Sequence, residues 1–488
     1  MVVKHQTPSY LESLAGQPVA VLGLGLSGRA AAELLAGAGA RVWAFDEADT
    51  EALRASVAPL AALGVTVHLG QSSLPPQSYA CVVTSPGLPP TKGLLAAALQ
   101  RGLPCLGELE LGFRACTFPN VSISGTNGKT TTTELMELVL RAVGQATVAA
   151  GNIGLPLCAV ATQELDRIVL EISSFQLETI HRFRPHLAIL LNLTPDHFDR
   201  YPGMREYLLA KARLFENQTP ADWAIVQQEA LVQLQSLQVP LAARLLTFSA
   251  TAPQADIYLE GTRILSRRPE FPGLLLDQRD TRLRGPHNAE NLMAVLAASQ
   301  VLGLPMETVR SALCGYRPAP HRCEWVAEIA GVQYVNDSKA TNVDAVEKAL
   351  RTVPPGFLGS NNVWLIAGGK DKGFGFDELI PWLRQRVKMA CLIGETQSRL
   401  MQAWGDHVSC APCGTLSEAV LRASRQAAPG DVVLLSPACS SFDQFRSYQH
   451  RGEVFKNLVE DLKSTTDSGC TSGKTQHNEP ASIDGGHN

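Results

Sequence analysis

A chain of 488 residues, 45% hydrophobic and 18% charged, is long enough for about three domains of ordinary size, each with a core of its own. Its net charge of -4 gives no support for binding nucleic acid, and no apolar run approaches the roughly 18 residues that cross a bilayer. The opening MVVKHQTPSYLESLAG lacks the apolar core of a signal peptide, so a cytoplasmic monomer without membrane insertion is expected. The 11 cysteines are spread singly apart from Cys410 and Cys413, an odd count that argues for free thiols. CAPC could be a redox pair, but with no second pair to complete a zinc site chance spacing is the simpler reading.

Residues 18–48 read as a buried strand, the pattern Gly23-x-Gly25-x-x-Gly28, an alanine-rich helix and a second strand ending at Asp46. This is a dinucleotide-binding fingerprint, with an acid about 20 residues on where a ribose hydroxyl would sit. Three readings stay open: a dehydrogenase, a mononucleotide such as UDP in the same crevice, or glycines that serve only close helix packing. CVVTSPGLPP (81–90) is a further strand running into a Ser85-Pro86-Gly87 turn at the same sheet edge. The first domain is expected to span 1–116.

FPNVSISGTNGKTTTTELMELVL (118–140) is a β-branched strand, a tight loop and a helix with Leu135, Leu138 and Val139 at helical spacing. Freed N–H groups, the helix dipole and Lys129 would cradle a di- or triphosphate there, with a threonine hydroxyl placed for Mg2+. The strict phosphate-loop pattern has four residues between its first glycine and the Gly-Lys pair; Gly125 and Gly128 enclose only two. AAGNIGLPL (149–157) is a loop carrying Asn152, and RIVLEISSFQLE (167–178) a buried strand delivering Glu171. AILLNLTPDHFDRY (188–201) repeats that arrangement with Asp196, His197 and Asp199. Acidic strand ends beside a phosphate loop suggest a metal site; a surface acid at 171 and a capping or core histidine at 197 are the plainer alternatives. In the helix from about 204 to 217, Lys211 either extends its head to water or is a desolvated amine with altered chemistry. Residues 220–285 say little beyond short strands such as ADIYLEG. GPHNAENLMAVLAASQVLGL (285–304) opens a helix whose Asn288 and Asn291 recognise an adenine edge or, by default, cap it.

RPAPHRCEWV (317–326) has a linker's character and leads into a third α/β segment. Its strands run into loops bearing Asp337, Lys339, Thr341, Lys372 and Ser441, where a parallel sheet places ligands. The tail 464–488 is polar and aperiodic and is expected to be disordered. Its SGKT is a decoy, since no strand precedes it.

GTNGKTT, GNIGLP, LEISSFQLE, LNLTPDHFDRY, AKARLFEN, PHR, NDSKATN, GGKDKG and SPACSSFDQF occur in an order that resembles the ATP-dependent Mur ligases of peptidoglycan synthesis. The resemblance covers nearly everything from 18 to 463. It implies an α/β fold of three domains: N-terminal Rossmann-like (1–116), central P-loop ATPase-like with a parallel sheet (117–317), and C-terminal Rossmann-like (318–463). The activity implied is ATP-dependent addition of D-glutamate to UDP-N-acetylmuramoyl-L-alanine through an acyl phosphate. Another Mur-type or folylpolyglutamate-type amide ligase is the alternative, and an NAD-dependent dehydrogenase or a non-catalytic nucleotide-binding regulator lies further off. By the same resemblance Leu26, Ser27 and Ser85 face the UDP group, and Asn152, Ser173 and Gln176 the muramoyl-alanine end. Gly125, Thr126, Asn127, Gly128, Lys129, Thr130 and Thr131 hold ATP, with Asn288, Asn291, Arg322, Asp337 and Lys339 also contacting it. Thr130, Glu171, His197 and a carbamylated Lys211 hold two Mg2+ ions; Lys129, Glu171, His197 and Lys211 are the implied catalytic set. Thr341, Lys372, Ser441, Phe442 and Tyr448 grip D-glutamate, although some relatives have Phe at the position of Tyr448 and the middle of GGKDKG varies.

Overall fold

Val19, Ala20, Val21 and Leu22 are all buried, as a parallel strand covered on both faces must be. The computed structural model describes residues 9–198, 200–317, 320–353, 360–373 and 375–469. It is an α/β protein whose sheets are mainly parallel, and the chain divides into two compact units after residue 318.

The first unit holds two sheets. One contains β1 (Pro18–Leu22), β2 (Arg41–Asp46), β3 (Thr66–Leu69), β4 (Cys81–Thr84) and β5 (Cys105–Gly107) in the order β3-β2-β1-β4-β5, all parallel. Strand order reverses between β1 and β4, where a doubly wound sheet opens its ligand crevice. The second contains β6 (Asn120–Ser124), β7 (Thr147–Gly151), β8 (Arg167–Glu171), β9 (Leu187–Leu190), β10 (Trp223–Gln227), β11 (Arg244–Ser249), β12 (Ile257–Glu260), β13 (Arg263–Ser266) and β14 (Gly273–Asp277). Their order is β14-β13-β12-β11-β10-β9-β6-β8-β7. From β7 to β12 the strands are parallel, so the carboxyl ends of β6, β8 and β9 share one edge. Helices Lys129–Ala142 and Pro286–Val301 cover one face with Leu135, Val139, Leu292 and Leu296.

The second unit has β15 (Glu324–Ile329), β16 (Val332–Asn336), β17 (Val363–Gly368), β18 (Val387–Ile393), β19 (Cys410–Gly414) and β20 (Val432–Leu435), ordered β15-β16-β20-β17-β18-β19. Among the pairings of these described strands only β15–β16 is antiparallel.

Several expectations are corrected. Ala149–Gly151 belongs to β7 rather than a loop, because β8 supplies its backbone partners. The stretch 220–285 contributes two parallel strands and a three-stranded antiparallel ribbon whose short elements carry little periodicity. The helix Tyr448–Gly469 runs on past Lys463, so disorder does not begin there; residues 470–488, with the SGKT, lie outside the described residues. The described cysteines are free thiols. The neighbour that lowers the Cys413 thiol is Cys391 on β18, through a thiol–thiol hydrogen bond, rather than Cys410.

The two sheets of the first unit are joined through a buried carboxylate. Glu110 accepts the backbone N–H groups of His181, Arg182 and Phe183 at 2.9, 3.0 and 2.9 Å and pairs with Arg114 at 2.7 Å. Glu110→Ala leaves the buried Phe183 N–H, two neighbouring backbone donors and the Arg114 cation without their acceptor, and is expected to cost about 3 kcal/mol. Calorimetry checks this; a variant melting together with the parent would show that the junction does not depend on Glu110.

Candidate active site

At the reversal point of the first sheet the glycine pattern closes a tight turn. A Cβ at position 28 would collide with the Gly23 carbonyl oxygen, so the third glycine lets the helix Leu26–Gly37 start directly against β1. Ser85 donates to that same oxygen at 2.7 Å, bringing the β4 loop onto the glycine loop. Asp46, placed by sequence where a ribose would be, instead accepts the Leu24 N–H at 2.6 Å and the Ala48 N–H at 2.8 Å. Its carboxylate is committed to the loop itself, which counts against the dehydrogenase reading. Leu26 is 65% exposed beside the half-buried Ser27, at the open end of the helix.

The second sheet carries the phosphate loop. β6 ends at Ser124, Gly128 adopts φ +86°, and the helix begins at Lys129. A Cβ on Gly128 would overlap the Asn291 side chain, so the glycine meets a steric as well as a conformational need. Thr126 is clamped: its backbone N–H donates to Asn192 O at 3.0 Å, and its hydroxyl lies 2.9 Å from Tyr207 Oη and 3.0 Å from Thr194 O. Asn127 exchanges hydrogen bonds with the Asn192 side chain at 2.9 and 3.0 Å. Thr132 donates to Asn291 Oδ1 at 3.2 Å, Asn291 to Asn288 Oδ1 at 3.3 Å, and Asn288 to Arg284 O at 2.8 Å. The two asparagines therefore brace the loop and do not cap their own helix, whose N-terminus is Gly285 followed by Pro286. Thr130 and Thr131 stand in the first turn of the loop helix, Thr130 half-buried and Thr131 buried.

Lys129 Nζ donates to Gly125 O at 2.9 Å and Thr126 O at 2.8 Å, and Lys211 Nζ reaches the same Gly125 O at 2.8 Å. Lys211 is 2% exposed. Burial drives its pKa well below the usual lysine value and the Lys129 charge pushes further, with Asp196 and Glu171 opposing. Both effects disfavour the charged ammonium at this depth. Glu171 is also buried: its Oε1 accepts from Asn152 at 2.7 Å, while its Oε2 has no hydrogen-bond partner. A buried carboxylate oxygen in that state suits a cation. Among the described residues no group of three or more His, Cys, Asp or Glu is gathered for a metal, so a cation here depends on the hydroxyl and lysine members of the expected set. His197 sits at φ +58°, its ring 4.8 Å from that of Phe175 and its Nε2 3.6 Å from Asp196 Oδ2. Asp199 lies outside the described residues.

Ser173 and Gln176 satisfy each other in a capping box on the short helix Ser174–Leu177. That local role explains both residue types without a ligand.

In the second unit the strand ends gather a second polar group. Asp337 accepts from Ser436 Oγ at 2.9 Å and the Cys323 N–H at 3.1 Å, and burial lifts its pKa to about 7 against the pull of Arg322. Lys339 Nζ lies 4.0 Å from the Tyr448 ring centroid. The GGKDKG loop is tied to SPACSSFDQF by Gly368 N–H to Pro437 O at 2.8 Å and Lys370 N–H to Ser440 O at 2.9 Å. This sets Lys372 on a loop next to that bearing the buried Ser441 and Phe442, which is 67% exposed. Thr341 precedes Asn342, the cap of the helix Val343–Thr352. Arg451 was not legible as part of this region, yet its buried guanidinium joins Ser338 O at 2.8 Å to Cys439 O and Ser440 O at 3.2 and 3.3 Å. Asn192 and Tyr207 were likewise missed; a polar residue directly after the apolar run of β9 was the available signal for Asn192.

A family model described as Mur ligase middle domain matches residues 123–299, and one described as Mur ligase, glutamate ligase domain matches 321–439. The chain is 43% identical over 445 residues to a Trichlorobacter lovleyi protein named UDP-N-acetylmuramoylalanine--D-glutamate ligase, covering 91% of this chain and 98% of that one. A protein of the same name from Myxococcus xanthus is 41% identical over 461 residues, covering 92% and 99%. Among solved structures, UDP-N-acetylmuramate-alanine ligase of Thermotoga maritima gives a TM-score of 0.57 at 17% identity, covering 92% of this chain and 100% of that one. The MurF ligase of Thermotoga maritima in complex with ADP gives 0.58 at 15%, covering 88% and 95%. These two likenesses speak to the fold alone.

Asp337 holds its proton more tightly folded than unfolded, so its contribution to stability is full below about pH 4 and is lost as pH rises through about 7. Asp337→Asn is expected to flatten stability across that window. Urea unfolding between those limits checks it; an unchanged slope would show that Asp337 titrates normally.

Proposed function

Since the chain belongs to the Mur ligase family, we propose that it joins D-glutamate to UDP-N-acetylmuramoyl-L-alanine, driven by ATP, in the making of peptidoglycan precursors. The observation that carries the chemistry is the meeting of a phosphate-loop lysine and a buried second lysine on one carbonyl, Gly125 O. The substrate assignment rests on relatives of that name near 40% identity along nine-tenths of the chain.

In this reading residues 1–116 bind the UDP group around Leu26, Ser27 and Ser85, 117–317 bind ATP, and 318–463 bind the amino acid through Thr341, Lys372, Ser441, Phe442 and Tyr448. Asn288, Asn291, Arg322, Asp337 and Lys339 add contacts to ATP. The protein works in the cytoplasm as a monomer; no helix among the described residues is long and apolar enough to cross a membrane. Lys129 and the N–H groups of the loop hold the ATP phosphates. Thr130, Glu171, His197 and Lys211 would hold two Mg2+ ions, which supply countercharge to the phosphates when bound. Burial disfavours the ammonium form of Lys211, and its free amine suits addition to CO2: an N–C bond forms, a proton leaves, and the side chain becomes an anionic carbamate.

A carboxylate is a poor electrophile. The alanine carboxylate oxygen attacks the γ-phosphorus of ATP, the bond to ADP breaks, and an acyl phosphate results. The D-glutamate amine then attacks its carbonyl carbon, phosphate leaves, and the nitrogen gives up its proton to form the amide. The first step brings two anions together, so positioning and the Lys129 charge lower its barrier. Asn152 donates to Glu171, and Asn152, Ser173 and Gln176 face the muramoyl-alanine end of the substrate.

Phosphate release from Mg-ATP with UDP-N-acetylmuramoyl-L-alanine is expected with D-glutamate and not with L-glutamate, L-alanine or meso-diaminopimelate. Release with a different amino acid would move the chain within the family, and release with none would sink the ligase reading. Lys211→Ala is expected to lose at least about 100-fold in kcat, with partial recovery on adding a short carboxylate. No recovery would remove the carbamate from the scheme.

A further inference from the structure

We propose that Arg200 is a positioning residue that fastens the turn bearing His197 to the nucleotide loop of the first sheet; the proposal rests on the ligase reading above. Arg200 follows His197 by three residues and its side chain is only 15% exposed, so its role has to come from its contacts. Its Nε and Nη2 donate to Glu178 at 3.1 and 2.5 Å, and Nη2 also reaches the Leu88 carbonyl at 3.3 Å. Leu88 belongs to the Ser85 loop, its N–H bonded to Ser85 O at 3.2 Å. Its side chain packs on the glycine loop, where a Cβ at Gly23 would lie 3.2 Å from Leu88 Cδ1.

On the other side, Arg200 stacks over Phe175 at 4.5 Å from the ring centroid, and Phe175 in turn packs on His197 at 4.8 Å. The turn is closed by His197 O, which accepts the N–H groups of Arg200 and Tyr201, both at 3.0 Å. Tyr201 Oη donates to Glu178 Oε1 at 2.6 Å, so one carboxylate holds both side chains that follow the turn. An unbroken path of contacts thus runs from Gly23 through Leu88, Arg200 and Phe175 to His197. A planar guanidinium suits this place because it makes a two-point contact with Glu178 and still reaches a carbonyl, which an ammonium does with less definition. With nucleotide seated against the Gly23 and Ser85 loops, the path fixes where His197 and Asp196 stand relative to the phosphate loop.

The test compares the unmodified chain with Arg200→Ala and Glu178→Gln in the D-glutamate-dependent phosphate assay. Arg200→Ala is expected to lower kcat by about 10- to 100-fold through misplacement of the turn, with KM for ATP and D-glutamate and the melting temperature little changed. Guanidinium ion added well below denaturing concentration should restore part of that kcat; Glu178→Gln, which keeps hydrogen-bonding atoms but loses charge, should lose less. Unchanged kcat in Arg200→Ala would overturn the proposal. So would a loss that tracks a lowered melting temperature and resists guanidinium, which would mark a purely structural arginine. If the unmodified chain itself releases no phosphate, the ligase reading fails instead.

Discussion

Two lysines share one backbone carbonyl in a buried place, and the rest of the first unit is arranged around that constraint. Both Lys129 and Lys211 donate to Gly125 O. Two full positive charges so close, away from water, repel each other by several kcal/mol even at an effective dielectric near 20. Burial and this repulsion both favour loss of a proton from Lys211, the more buried of the two, while Asp196 and Glu171 stand near enough to oppose the loss. The parallel order of β8, β6 and β9 is what delivers Glu171, Gly125 and Asn192 to one edge. Without that register, neither the amine nor the carboxylate would have company at this depth.

The loop itself is held from outside. Thr126 and Asn127 hand their hydrogen bonds to Asn192, Thr194 and Tyr207, and Gly128 leaves room for Asn291. A shortened phosphate loop, two residues between its glycines, therefore keeps its shape through the strand end and helices packed on it. Preorganisation of this kind is what lets backbone donors act on a charged ligand without first rearranging.

What could be read beforehand followed the strength of local signals. A β-branched run meeting Gly-x-x-Gly-Lys-Thr is a local pattern, so β6 and its helix were legible, as was the α/β alternation. Asp46 stayed ambiguous because sequence spacing places an acid at a strand end without saying whether a ligand or a nearby N–H will take it. Ser173 and Gln176 show the same ambiguity, since a capping box and a substrate contact use the same residue types. Tyr207 escaped because its partner Thr126 lies 81 residues away, and Arg451 because Ser338, which it ties to the nearby Cys439 and Ser440, lies 113 residues away, distances no window along the chain spans. The helix beyond Lys463 escaped for the opposite reason: its last residues are polar and carry no apolar stripe to announce it.

The glycine at position 28 has one more implication. Any side chain there meets the Gly23 carbonyl oxygen, a backbone atom that cannot swing aside, so the residue is barred from change by geometry whatever the crevice holds. Residues lining the same turn, such as Leu26 and Ser27, face no such barrier. Over many generations of neutral drift, the turn can exchange one nucleotide for another while its glycine spelling survives. The pattern is thus a fossil of the backbone crossing and a poor witness to the ligand.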